Sequence, residues 1–248
     1  PKIQLKLDSA IVHLSKGGNA PGAKDYIYNG ASSSWLKAAW ALKARYFMRL
    51  SNVDSKASEN ALSCMSKAFA AQGDEMIFVK YDASSAIAEN PWFQFFNDRS
   101  GLSASKSLYD RMKTRNDPRI AAYFDMTSGT KWAENGTADA NQGGLYYVSK
   151  FTQEADAGTP IMSYHELCFI KAEAEFRTNT ATWKNSLQKA IQESFVNVGL
   201  TAVEADTYFN NEVTPKLTSG NELNEIMTQK WISLYEAESI EAYNDYRR

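Results

Sequence analysis

For covalent, metal or acid–base chemistry this 248-residue chain offers two histidines, two cysteines and a few clustered acids. "HELCF" begins at His165 like a zinc-binding helix, in which a second imidazole four residues on faces the same metal. Phe169 stands at that position, so the zinc pair is missing. Cys168 lies three residues from His165, but His13 is the only other histidine and no third group is at hand to orient a nucleophile. "DANQGG" sets Asp139, Asn141 and Gly144 at the first, third and sixth positions of a calcium loop. The twelfth position, where a bidentate Glu closes such a site, is Lys150, and the segment reads as a turn. Glu238, Glu241 and Asp245 recur at helical intervals, with Asp245 three residues before Arg248. That stack reads as a solvated or ion-paired face before it reads as an acid–base pair. "GGNAPG" lacks the lysine and the preceding strand of a phosphate loop. The expectation is a binding protein rather than an enzyme, with no catalytic residue, metal or cofactor.

A second kind of chemistry is ring stacking. Trp92, Phe93 and Phe96 fall in "NPWFQFF", Trp132 stands alone, and Tyr146 and Tyr147 close "GGLYY". Rings in loops stack on apolar ligand faces, and Asn90, Gln94, Asn97 and Asp98 offer the hydrogen bonds that a sugar's hydroxyl rim requires. These six rings are the candidate ligand-binding residues, and Trp92 leads because Pro91 stiffens the backbone before it. The competing role for each ring is to anchor the loops onto neighbouring helices.

The elements that must position these rings are mainly helical. "SWLKAAWALKARYFMRLSN" repeats Trp35, Ala39, Leu42, Tyr46 and Leu50 on one face, widened by Leu36, Trp40 and Phe47. A second helix carries Ala61, Leu62, Met65, Ala68 and Phe69 and is expected to stop at Gly73, with the small-large-small spacing of a tetratricopeptide second helix at Ala61, Met65 and Ala68. From Asp74 to Thr159 the period is lost to Gly, Asn, Asp and Ser, which indicates a loop-rich insertion. Within it "EMIFVKYD" and "GGLYYVSKF" read as short strands, a helix is expected near Ser105 to Met112, and Pro118 marks a new start. Helical pattern returns at "SYHELCFIKAEAEFR" and at "TWKNSLQKAIQESFVNVGL", with Gly199 ending the latter. Further helices follow over roughly 202–211 and 222–235, and from Ser239 onward. Met227, Trp231 and Leu234 share a face there, which predicts a buried Trp231. The whole reads as one domain: a helical pair region over 1–73, the insertion over 74–159, and a helical region over 160–248.

Lys plus Arg number 27 against 29 for Asp plus Glu, so no basic excess suits a phosphate backbone and nucleic acid is not an expected partner. Cys64 and Cys168 sit in apolar helical patterns and read as buried free thiols.

Four segments, in order, resemble the SusD/RagB family of Bacteroidetes outer-membrane nutrient-binding lipoproteins. They are "DYIYNGASSSWLKAAWALKARYFMRLSN", through Asp25, Tyr28, Gly30, Trp35, Leu42, Lys43 and Arg45; the Asn-Asp-Pro-Arg turn at Asn116 to Arg119; "SYHELCFIKAEAEFR", through Tyr164, Glu166, Phe169, Ala172, Glu173 and Ala174; and "QKWISLYEAESIEAYNDYRR", with Tyr243 where the family has a second Trp. The resemblance implies a tetratricopeptide-like helical-repeat scaffold with a loop-rich ligand region, tethered to the outer leaflet by a lipid anchor absent from this chain. It implies a partner, a TonB-dependent transporter barrel, and a ligand, an oligosaccharide or less favourably a peptide. It also implies that the chain is a fragment lacking N- and C-terminal segments, and the helix pair beginning near Trp35 should then show an apolar surface that the missing N-terminal repeats would cover. The family's ligand contacts vary between members, so no site residue is taken from it. The second reading of the same helices is a repeat module that binds another protein in its groove.

Overall fold

The computed structural model describes residues 2–99, 101–136, 145–235 and 238–248. The chain is mainly α. It runs through helices α1 (Lys2–Ser15), α2 (Ser32–Met48) and α3 (Ala57–Leu62), strand β1 (Met76–Phe78), and helices α4 (Pro91–Arg99), α5 (Lys106–Lys113) and α6 (Ile120–Tyr123). Strands β2 (Phe124–Asp125), β3 (Val148–Ser149) and β4 (Thr159–Met162) follow, then helices α7 (Tyr164–Arg177), α8 (Trp183–Asn197), α9 (Ala202–Tyr208), α10 (Glu222–Ser233) and α11 (Ser239–Arg247).

The hairpin of α7 and α8 is central. Ser163 caps α7 by accepting from Glu166 N at 3.1 Å, and Gly199, at φ +81°, ends the turn after α8. One face of α7 packs Leu167, Ile170 and Ala174 on α2 and α3; the other packs Phe169 and Ala172 against Leu187, Ile191 and Phe195 of α8 and Ile226 of α10. A helix buried on both sides cannot show a clean amphipathic stripe, and α7 does not.

Two ribbons order the middle of the chain. β1 pairs antiparallel with β4, and β2 with β3, so "EMIFVKYD" and "GGLYYVSKF" each contribute a strand as expected.

The structure departs from expectation in four places. The buried stripe of α2 is Ala38, Ala41, Ala44 and Met48, not the aromatic one; small residues let α2 approach α7 closely while Trp35, Trp40 and Phe47 stay half-buried. The second helix stops at Leu62, because Ser63 Oγ and Cys64 Sγ both turn back to the Asn60 carbonyl, and two short 3₁₀ turns follow, Met65–Lys67 and Gln72–Asp74. Residues 91–99 are helical rather than irregular: Asn90 Oδ1 accepts from Trp92 N at 2.8 Å, and Pro91 lies at the first helical position, where a missing N–H costs nothing. Trp231 is 37% exposed instead of buried, because α10 turns Glu225, Gln229 and Lys230 inward with Ile226 and Ile232. In addition, α1 buries none of its residues and leaves Ile3, Leu5 and Val12 exposed.

Most of the inward charges are paired. Arg119, fully buried, grips Asp117 at 2.9 and 2.6 Å, bonds Ser194 and Gln229 at 2.9 Å each, and lies over the rings of Phe195 and Tyr208. Asn116, at φ +47°, supplies the left-handed residue this turn needs. Asp25 accepts from Ile27 N, Gly30 N and Trp35 Nε1, and these bonds hold its carboxyl down to about 2. Burial opposes that effect and is overcome. Both cysteines are free and buried.

Candidate functional site

The six candidate rings do not share one surface. Trp92 is 49% exposed on α4, beside Phe93 and Phe96, which are half-buried. Phe95, passed over in the sequence, is as exposed as Trp92. Asn90, expected to meet a ligand, is instead buried, with its amide donating to the Ala157 carbonyl at 2.7 Å. Trp132 stacks on Tyr109 at 3.8 Å, meets Phe124 edge-on at 5.0 Å and Tyr147 at 4.6 Å. Trp132 and Tyr147 therefore belong to an aromatic layer, with Tyr123, Phe151 and Tyr235, that fastens the middle of the chain to α10. Tyr146 sits at the edge of that layer, its ring 5.9 Å from Lys131 Nζ. A Cβ at Gly129 would lie 2.3 Å from the Tyr146 carbonyl carbon, so only glycine permits this approach.

Trp92 faces a cleft of about 240 Å³, lined also by Leu102, Ser103, Ser149, Thr152, Tyr235 and Ser239. Ser149 and Thr152 turn their hydroxyls to the Tyr123 and Ser149 carbonyls, and among the described residues those of Ser103 and Ser239 make no hydrogen bond. Tyr235 and Ser239 also line a larger groove of about 690 Å³ between α5, α10 and α11, so the two surfaces are continuous. Trp231, Tyr243 and Tyr246 present rings to this groove, and Arg111, Asn224 and Thr228 present polar groups. Sequence reasoning missed these rings. Their signal was Trp231 and Tyr235 at i, i+4 and Tyr243 and Tyr246 at i, i+3, a spacing that marks one helical face without saying whether it is buried.

Behind the groove, α11 is held by charge. Asp245 pairs with Arg49 and Lys230 at 2.6 Å each and with Arg248 at 2.9 Å; Glu241 pairs with Arg49; Arg248 reaches Glu173, Ser51 and the Met48 carbonyl. The stacked carboxylates of the sequence are thus an ion-paired face, and the closing arginine ties α11 to α2 and α7.

The other reactive groups are subdued. Burial lowers the His165 imidazole to about 4 and pushes the Cys168 thiol up to about 12, so neither is poised for proton transfer or attack near neutrality. Asp139, Asn141 and Gly144 lie outside the described residues, and Lys150 donates to the Ala121 carbonyl. Among the described residues no group of three or more His, Cys, Asp or Glu side chains is placed to hold a metal ion, and no helix is long and apolar enough to cross a membrane.

A SusD-like family model, described as starch-binding and associating with the outer membrane, matches residues 2–248. Among solved structures, the chain is similar to a SusD/RagB family protein from Bacteroides thetaiotaomicron VPI-5482, at 32% identity and a TM-score of 0.88, over 98% of this chain and 59% of that one. It is also similar to a SusD homologue from Bacteroides ovatus ATCC 8483, at 23% identity and a TM-score of 0.82, over 99% of this chain and 59% of that one. A chitin-binding SusD homologue from Flavobacterium johnsoniae aligns at 24% identity and a TM-score of 0.82, over 99% of this chain and 58% of that one. The chain thus spans less than two thirds of the length of these structures. No curated protein matches it.

Proposed function

The chain belongs to the SusD-like family, and from that membership we propose that it captures a glycan at the outer face of the outer membrane, where a lipid anchor holds it, and delivers the glycan to a TonB-dependent transporter. The observation that carries this reading is the half-exposed indole of Trp92 in one cleft with Tyr235 and the hydroxyls of Ser103 and Ser239. A sugar offers an apolar C–H face and a hydroxyl rim, and this cleft supplies a ring plane and hydrogen-bonding groups at matching scale. The neighbouring groove extends the surface with Trp231 and Tyr243, giving several sugar units room to lie along it. Capture and release ask for shape and stacking, not for a nucleophile or an acid–base pair. Two neighbours in structure are named as chitin-binding, which fits the same ligand class.

In this reading Trp132 and Tyr147 support the site from below, Phe93 and Phe96 seat α4, Tyr146 flanks the aromatic layer, and Trp92 touches the ligand. The test is calorimetry of the full-length protein against a glycan chosen by array screening. Trp92→Ala is expected to weaken binding about tenfold, the size of a stacking contact. Unchanged affinity in both Trp92→Ala and Trp231→Ala, with folding intact, would reject the ring-lined surface and move the site to the helical face of a protein-binding repeat module. Co-purification of a TonB-dependent barrel with the anchored protein checks the delivery step.

A further inference from the structure

Among the described residues, the larger groove carries a cationic side chain that its walls do not match. Arg45, Arg49, Arg115, Arg119, Arg177 and Arg248 each hold a carboxylate. Arg99, Arg111 and Arg247 hold none among the described residues, and of these three Arg111 lines the groove. Arg111 is exposed on the last turn of α5 and lines the groove. Its neighbours at three and four residues are Ser107, Leu108, Thr114 and Arg115, and the one acid of α5, Asp110, is held by Lys106. Arg247 lies over the ring of Tyr243, 5.6 Å from its centroid, and Tyr243 lines the same groove from α11. The acid that the described lining carries is Asp245, and its charge is already taken by Arg49, Lys230 and Arg248.

A guanidinium with open donors beside stacking rings selects a ligand by charge as well as by shape. Its planar fork matches a carboxylate or a sulfate, and a neutral sugar would leave it unused. We propose that this groove takes an acidic saccharide, with sugar rings on Trp231 and Tyr243, the anionic substituent on Arg111, and Arg247 as a second cation at the rim. This inference rests on the glycan-capture reading and adds the ligand's charge to it.

The test sets the full-length protein against polygalacturonate, chondroitin sulfate and neutral pullulan by affinity electrophoresis and calorimetry. At least one acidic polymer is expected to bind about tenfold tighter than the neutral one at low salt, with affinity falling as salt rises. The polygalacturonate and chondroitin sulfate arms separate carboxylate from sulfate. Arg111→Gln, at an exposed position where folding should be untouched, is expected to remove most of that preference, so that the acidic polymer binds this variant no more than about twofold tighter than pullulan binds the same variant; Arg247→Gln should remove less. Equal affinity for acidic and neutral polymers, or an acidic preference that survives Arg111→Gln, overturns the proposal. Neutral-glycan binding that depends on Trp92 and shows no acidic preference sinks this inference alone, whereas binding to no glycan sinks the capture reading with it.

Discussion

The buried pin at Arg119 gives a sharp test of what holds the site in place. Its guanidinium makes two charge-assisted bonds to Asp117 and one each to Ser194 and Gln229, with no solvent access. Asp117→Ala removes half of those bonds and, among the described residues, the one carboxylate paired with it, leaving a buried charge without its counterion. The expected cost is about 3–5 kcal/mol. Arg119→Met strands the Asp117 carboxylate in the same way and should cost a similar amount. In the double variant no ion remains to be stranded, and the residual penalty is the loss of partners for Ser194 and Gln229, about 1–3 kcal/mol. The double variant should therefore be no less stable than either single, with a coupling energy of at least about 2 kcal/mol. Urea unfolding followed by tryptophan fluorescence measures all four proteins, with the slope checked for constancy so that midpoints report stability. Additivity within about 0.5 kcal/mol would refute the argument that the Asn-Asp-Pro-Arg turn is fixed by this pair.

Two further outcomes follow from the packing. Glu75 is buried against the start of α7, where it accepts from Tyr164 N at 2.6 Å, and burial raises its carboxyl from 4.5 to about 7. The folded state thus binds the proton more tightly than the unfolded chain, so this group's contribution to stability falls as pH rises from about 4.5 to about 7. Glu75→Gln should flatten that decline and raise the melting temperature at pH 8 relative to the parent, as a pH series of thermal melts would show. Trp132→Ala opens the aromatic layer against Tyr109 and Phe124 and should cost about 3 kcal/mol, while Trp92→Ala on the exposed face of α4 should cost under about 1 kcal/mol; equal losses in urea titrations would reverse their assigned roles.

Periodic helices were legible in the sequence wherever apolar residues alone face the core. Leu187, Ala190 and Ile191 of α8 are buried as their spacing requires. The pattern misleads where the inward face is polar. Glu225, Gln229 and Lys230 of α10 are buried because Arg115, Tyr208, Glu166 and Asp245 meet them across the chain, and partners that far apart in sequence leave no local signal. Trp231, the most apolar-looking residue of that run, is left on the groove as a result. The helix at residues 91–99 was hidden by its aromatic and amide content, which resembles a loop until Asn90 is recognised as its cap. The family motifs were legible as motifs, yet Asp25, Arg119, Glu166 and Arg45 prove to be fasteners of the scaffold, which is why they name the fold and not the ligand.

The two faces of α11 have different tasks. Its rear, Glu241, Asp245 and Arg248, is clamped by ion pairs to α2, α7 and α10, while its front carries Tyr243, Tyr246 and Arg247. Ion pairs, unlike apolar contacts, tolerate little sliding, because each donor must stay over its acceptor. The helix is therefore fixed in rotation and in register before any ligand arrives. In the capture reading, a ligand reaching the groove meets rings on a helix already held in register, so the ordering entropy of that wall was spent in folding and is not subtracted from affinity. Loosening the rear clamp at Glu241, which does not line the groove, should appear as weaker binding with a larger entropic penalty.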